Sequence, residues 1–278
     1  MIEDEDTGSA LRSLYEPQGG VRAIFASKVA DYIASRPDYP DALFDALAQN
    51  CGLPDGATIA DIGAGTGLLT QGLLTRGYRT VAVEPNPAMR AACDLHCTAF
   101  AGYRSVEGCA ESIPLDARSV DLITAAQAFH WFEVERARAE CLRVLAPHGR
   151  VALIWNDRVS SDPLHVELDA VFAKFGGAKR SALVAHEDRS DVPRFFGGAP
   201  VEALSWPHEH RVGAEGLACL AFSRSYMPDR ATPDGQAVAR ELRRIFGRFE
   251  VNAAVTVRYR TILILGRPDH SAPHLNHD

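Results

Sequence analysis

Thr58-Ile59-Ala60-Asp61-Ile62-Gly63-Ala64-Gly65-Thr66-Gly67-Leu68-Leu69-Thr70 runs from a short apolar segment, through three alternating glycines, into a second apolar-periodic segment. That order spells a buried strand, a tight turn and a helix that begins directly after it. Without a Cβ at 63, 65 and 67, the backbone can pass close to a ligand. The helix that follows aims its free N–H groups at whatever lies over the turn.

Spacing separates the ligand classes that use such a turn. A dinucleotide turn reads G-x-G-x-x-G, whereas this one reads G-x-G-x-G and continues into Leu68, Leu69 and Thr70. Asp61, near the end of the first strand, would crowd a phosphate but suits a cationic or hydroxylated ligand. The next strand, Val81-Ala82-Val83-Glu84, ends in a second carboxylate. It stands roughly 20 residues on, where a ribose diol is gripped in folds of this type. A ligand with a ribose and a positive charge but no phosphate satisfies both carboxylates.

Asp61 to Gly67 followed by Val83-Glu84-Pro85-Asn86 resembles the first two motifs of class I S-adenosylmethionine-dependent methyltransferases. Gly108-Cys109-Ala110-Glu111-Ser112-Ile113-Pro114-Leu115, then Ser119-Val120-Asp121-Leu122-Ile123, is similar to that family's adenine loop and fourth strand. The ordered set covers about residues 55–155. The resemblance implies an α/β, Rossmann-like fold: a seven-stranded, mostly parallel sheet with an antiparallel last strand, helices on both faces and a helical lid. It also implies S-adenosyl-L-methionine as cofactor and S-adenosyl-L-homocysteine as product. Backbone around Gly63, Ala64, Gly65 and Gly67, with Asp61, would hold the methionine end. Glu84 and Pro85 would take the ribose, and Ala110 with Glu111 the adenine. Met89, in the first turn of the helix Pro87–His96, either packs on the adenine or is plain core.

Composition narrows the function classes. The chain has 278 residues, 46% apolar and 23% charged, and a formal net charge of −7. Without a basic block, a nucleic-acid partner is disfavoured. No apolar stretch of about 18 residues occurs and the first residues are acidic, which argues against a membrane span or a secretory signal. Six scattered cysteines suit a reducing, cytoplasmic setting. Cys93, His96 and Cys97 share a helical face, but no second cluster at zinc spacing accompanies them, so no metal is expected.

Residues 1–20 read as a mobile lead-in, 21–266 as one catalytic domain and 267–278 as a tail. Within the domain, 21–50 would form an N-terminal lid, 55–155 the cofactor core, and 157–250 the insertions around the acceptor pocket. Phe25, Tyr32, Arg36-Pro37 and Tyr39-Pro40 resemble the lid of the methyltransferase type 11 group, which includes trans-aconitate methyltransferase-like enzymes. On that resemblance Tyr32, Arg36 and Tyr39 contact cofactor or substrate; helix capping and surface packing are the alternative.

The loop after the fourth strand, Ala126-Gln127-Ala128-Phe129-His130-Trp131-Phe132, should face the reacting methyl, because ligands of open α/β sheets sit beyond the strands' carboxyl ends. It lacks the Asn/Asp-Pro-Pro-aromatic motif of enzymes that methylate amino groups of nucleic acids and glutamine, which points to a small molecule. Its His-Trp-Phe resembles the type 11 group. Gln127 joins the cofactor set. His130 is the candidate base, or a structural hydrogen-bonding group, and Phe129 and Trp131 would wall the pocket. A helix over Glu133–Leu145 should break at Ala146-Pro147-His148-Gly149, before a strand Arg150–Trp155. Trp155, Asn156, Arg158, Arg194, Phe195, Phe196 and Tyr226 complete the pocket candidates. Tyr226 belongs to Ser223-Arg224-Ser225-Tyr226, which resembles a late patch in type 11 members. A helix Leu164–Phe175 and a strand Val201–Val212 are expected, with His208 and His210 on a solvent- or subunit-facing edge.

The expected activity is methyl transfer to O, N or C of a small metabolite by a monomer or homodimer. Two other classes stay open: a non-methylating protein that binds the same cofactor, and a nicotinamide-dependent oxidoreductase.

Overall fold

The structure, a computed structural model, describes residues 13–18, 20–54, 56–185 and 189–269. The expected tail from 270 onward and most of the lead-in lie outside them.

The quoted stretch forms β1 (Thr58–Ile62) and α3 (Leu68–Thr75), after the helices α1 (Gly20–Ser35) and α2 (Asp41–Cys51). Then come β2 (Arg79–Val83), α4 (Pro87–Cys97), β3 (Tyr103–Val106), β4 (Val120–Ala126), α5 (Val134–Val144) and β5 (Leu145–Arg158). The chain closes with α6 (Pro163–Ala185), α7 (Asp191–Phe196), β6 (Val201–Val212), α8 (Ala214–Phe222), α9 (Pro233–Phe249) and β7 (Val255–Gly266). The strand order is β3-β2-β1-β4-β5-β7-β6. β1 to β5 pair in parallel, and β7 runs antiparallel to both β5 and β6. The seven-stranded, mostly parallel sheet with its reversed last strand is as the sequence implies.

Ile59, Ala60 and Ile62 of β1 are apolar because both faces of the strand are covered. Ile59 joins Leu43, Leu47, Leu69 and Leu73 on one side, while its neighbours Ala60 and Ile62 join Cys141, Val144, Phe195 and Phe196 on the other. The two-residue alternation of side chains sorts each strand between these cores. A third core lies beyond the sheet, where Leu168 and Phe172 of α6, Leu217 and Phe222 of α8 and Leu242 of α9 pack on Val255, Val257 and Tyr259 of β7. β5 pairs with β7 only as far as Arg158↔Tyr259, but β6 and β7 stay paired on to Val212↔Val255. The β6–β7 pair therefore overshoots the sheet's carboxyl edge and carries a helical cap across it.

Three expectations are corrected. The Pro147–Gly149 turn does not separate helix from strand: β5 starts at Leu145 opposite Val120, and its residues Ala146–Gly149 bulge out before pairing resumes at Leu122↔Arg150. The helix expected over Leu164–Phe175 is present up to a break at Gly177 (φ 55°, ψ −151°), but a second helical run, not expected, follows it to Ala185. His208 and His210 do not stand on an open solvent edge. The Nε2 of His208 lies 3.1 Å from a carboxylate oxygen of Asp38, and His210 is lodged against Ser35 and Asp38 with its pKa lowered chiefly by burial. Their strand face is roofed by the segment after α1.

Candidate functional site

The glycine turn is shaped by what presses on it. Gly63, Gly65 and Gly67 all have positive φ, at 68°, 58° and 88°. A Cβ at Gly63 would lie 2.7 Å from Cβ of Ala128, and one at Gly67 would lie 2.6 Å from Sγ of Cys93. At Gly65 nothing stands within 4 Å, so this glycine faces open space. The N–H groups of Gly63 and Ala64 both donate to the carbonyl of Val83, at 2.8 and 3.3 Å, which pins the turn to the end of β2.

Asp61 is 1% exposed. Its two oxygens accept the hydroxyls of Thr70 at 2.7 Å and Thr124 at 2.9 Å, tying α3 and β4 to β1. Burial pushes its pKa up to about 6, against the pull of those two hydroxyls. The residue expected to touch a ligand thus has protein partners on both oxygens.

Glu84 is also buried, and at the end of β2 it accepts N–H groups from Gly65 at 2.9 Å and Asn86 at 2.8 Å. After Pro85, the Asn86 side chain caps α4 by accepting from Ala88 and Met89. Met89 and Ala110 are buried at 3% and 2% exposure. Glu111 accepts the N–H of Glu133 at 2.7 Å, fastening the loop after β3 to the start of α5.

Beyond β4, Gln127 takes a positive φ of 54° and donates to the Asn156 carbonyl at 3.2 Å. Phe129, His130 and Trp131 form a single 3-10 turn. Phe129 makes edge contacts with Phe132, Trp155 and Phe195, so it belongs to the core. Trp131 meets Tyr15 edge-on at 5.5 Å and packs against His130 at 4.9 Å.

The segment after α1 runs along the same edge. Arg36 lies 4.5 Å over the Tyr32 ring. Burial raises the Tyr39 pKa strongly, and Tyr32 and Asp61 add to the rise while Arg36 opposes it. Tyr32, Arg36 and Tyr39 are therefore gathered beside the glycine turn; the Phe25 side chain falls outside the described residues. Asn156 holds the segment down by donating to the Asp38 carbonyl at 3.1 Å and accepting from Thr261 at 2.6 Å.

Near the end of β5, Arg189 stacks on Trp155 and pairs with Asp157. Arg158 and Arg224 both reach the Phe172 ring, at 5.1 and 4.6 Å, and Tyr226 meets that ring edge-on. Arg194, Phe195 and Phe196 are not brought here. The two phenylalanines are fully buried beside α5, and Arg194 pairs with Glu135 and Asp191. Sequence reasoning passed over Tyr15, His165 and Tyr259, and from the patch Ser223–Tyr226 it took Tyr226 rather than Arg224. The Tyr15 hydroxyl shares a 2.8 Å hydrogen bond with Ser225. Nothing local marks Tyr15, His165 or Tyr259, because each comes from a distant element. A surface depression of about 550 Å³ lined by Asp162, Arg211, Phe249 and Arg258 contains none of the expected site residues. Among the described residues no His, Cys, Asp and Glu cluster of metal-holding size occurs, and no helix is long and apolar enough to cross a membrane.

Known proteins share this arrangement. Residues 60–153 match the family model described as a methyltransferase domain. An uncharacterized methyltransferase of Mycobacterium tuberculosis is 37% identical over 203 residues, covering 73% of this chain and 76% of its own. The chain belongs to the methyltransferase family. A methyltransferase-like protein of Schizosaccharomyces pombe is 34% identical over 86% of this methyltransferase and 93% of its own length. A solved structure from Anaeromyxobacter dehalogenans, assigned as a type II methyltransferase, superposes with a TM-score of 0.60 at 25% identity. It covers 86% of this chain and 99% of its own. The protein is thus an S-adenosylmethionine-dependent methyltransferase, and the non-methylating and nicotinamide-dependent readings are disfavoured.

Proposed function

We propose that the cleft over Gly63–Gly67 holds S-adenosylmethionine and delivers its methyl group to O, N or C of a small molecule. The observation that carries this reading is the Glu84 carboxylate, 6% exposed, drawn onto the Gly65 and Asn86 N–H groups where β2 ends. A carboxylate at the end of β2 suits a diol, and the open face of Gly65 leaves room for the methionine end. Ala110 and Glu111 line the adenine side, and Asp61 acts by holding α3 and β4 in place.

The bound sulfonium supplies an already activated methyl group. The protein's task is then to align the acceptor and exclude water; alignment alone can contribute about 7–11 kcal/mol of barrier reduction. Tyr32, Arg36 and Tyr39 roof the cleft, and Trp131 with Tyr15 shuts its side. His130, half-buried in the loop after β4, accepts a proton where the acceptor carries one, an effect of roughly 10²–10⁴-fold.

Calorimetry with S-adenosylhomocysteine tests the assignment. Glu84→Ala should bind at least about tenfold more weakly, since hydrogen bonds to charged groups contribute about 1.5–3 kcal/mol each. Unchanged affinity in a variant that still melts cooperatively would refute the role given to Glu84.

A further inference from the structure

Four arginines from four separate elements meet beside the cleft, and two of them, Arg36 and Arg224, have no carboxylate partner among the described residues. Arg36 follows α1, Arg158 ends β5, Arg180 lies in α6 and Arg224 follows α8. Asp169 reaches the other two: both its oxygens accept from Arg180 at 2.8 Å, and Arg158 lies 3.6 Å away. Arg158 and Arg224 share one aromatic ring, Phe172. The buried Nε of Arg36 and that of Arg224 have no hydrogen-bond partner among the described residues.

The neighbours register the same excess. The buried Tyr259 phenol has its pKa raised by burial, against the combined pull of Arg224, Arg36 and Arg158. The pKa of His165 is lowered to about 4, chiefly by burial, with Arg158 and Arg224 also opposing its protonation. That lowered pKa keeps the imidazole neutral near pH 7 even though its Nε2 sits 2.7 Å from the Arg258 carbonyl, a contact that pulls the other way. Like charges held out of water repel strongly, and an unpartnered buried guanidinium nitrogen is costly. A ligand anion removes both costs at once. Guanidinium forks match the planar oxygens of carboxylate and phosphate, while Phe172, Tyr226 and Tyr259 offer an apolar wall to the ligand's body.

We propose that the methyl acceptor is a small organic anion, bearing carboxylate or phosphate, whose charged group seats between Arg36, Arg158 and Arg224. The proposal rests on the cleft being the methyl-transfer site. The anionic group here anchors the acceptor, whichever of its atoms receives the methyl.

Enzyme saturated with S-adenosylhomocysteine is titrated by thermal shift with acetate, succinate, citrate, glycerol phosphate and inorganic phosphate, each against sodium chloride at equal ionic strength. At least one anion should raise Tm saturably, and whether the carboxylates or the phosphates do so identifies the chemistry. Arg224→Gln should weaken that anion at least tenfold, Arg158→Gln similarly, and Arg224→Lys by less. Affinity of Arg224→Gln for S-adenosylhomocysteine should stay within twofold of the parent, showing that the fold and the cofactor end are intact. The proposal is overturned if no anion exceeds the chloride control, or if Arg224→Gln responds like the parent protein. Failure of S-adenosylhomocysteine itself to bind would instead bring down the underlying reading, and this one with it.

Discussion

At Gly67 a single methyl group separates a working turn from a blocked one. Its φ of 88° is open to glycine but costly for other residues, and an added Cβ would collide with Cys93 of α4 at 2.6 Å. The left-handed penalty is about 1–2 kcal/mol and overpacking a tight contact adds about 1–3 kcal/mol. Gly67→Ala should therefore destabilise the protein by about 2–5 kcal/mol in urea unfolding. Gly65 has a similar φ of 58° but open space before it. Gly65→Ala should lose about 1–2 kcal/mol of stability while suffering the larger loss of S-adenosylhomocysteine affinity. If the two variants showed the same ratio of stability loss to affinity loss, the division between a packing glycine and a ligand-facing glycine would be wrong.

Among elements, α4 shows how a cap can serve a site. Asn86 accepts from the N–H groups of Ala88 and Met89 at 2.9 and 3.1 Å, while its own N–H donates to Glu84 at 2.8 Å. Asn86→Ala should cost about 1 kcal/mol of stability and also weaken cofactor binding, because the backbone that steadies Glu84 slackens. Asn86→Ser, which keeps the cap, should retain most of both in parallel denaturation and calorimetry; equal loss in the two variants would uncouple cap from site. This segment was legible beforehand because strand, turn, carboxylate and helix start are contiguous and each has a local signature. β5 was misread for a local reason as well: a Pro–Gly turn marks a break, and only pairing with β4 shows that a bulge absorbs it. The orientation of His208 and His210 was out of reach, since period-two alternation gives a face but not what covers it. Here the cover comes from Asp38, far away in the chain. Arg36, Arg158 and Arg224 were scattered in the sequence for the same reason, and their convergence exists only in the folded chain.

In the whole molecule, two buried titratable groups pull stability in opposite directions over one pH window. Asp61 beneath the glycine turn has its pKa raised to about 6 by burial, so the folded state holds that proton more tightly than the unfolded chain does. Its contribution is fully present below the unfolded value of about 3.9 and is lost as pH rises towards 6. His165 beneath the helical cap has its pKa lowered to about 4. Its contribution is present above the unfolded value of about 6.5 and is lost as pH falls towards 4. Each contribution is on the order of 2–3 kcal/mol, because a tenfold change in proton affinity corresponds to about 1.36 kcal/mol. In the parent protein the two therefore largely cancel between about pH 4 and 6.5. Removing one should expose the other. Asp61→Asn should lose stability on acidification across this window more steeply than the parent, and His165→Gln should gain it. Urea unfolding at pH 4, 5, 6 and 7 separates them. Parallel curves for the parent and both variants would mean that neither group is held as the structure shows, one beneath the glycine turn and the other beneath the helical cap.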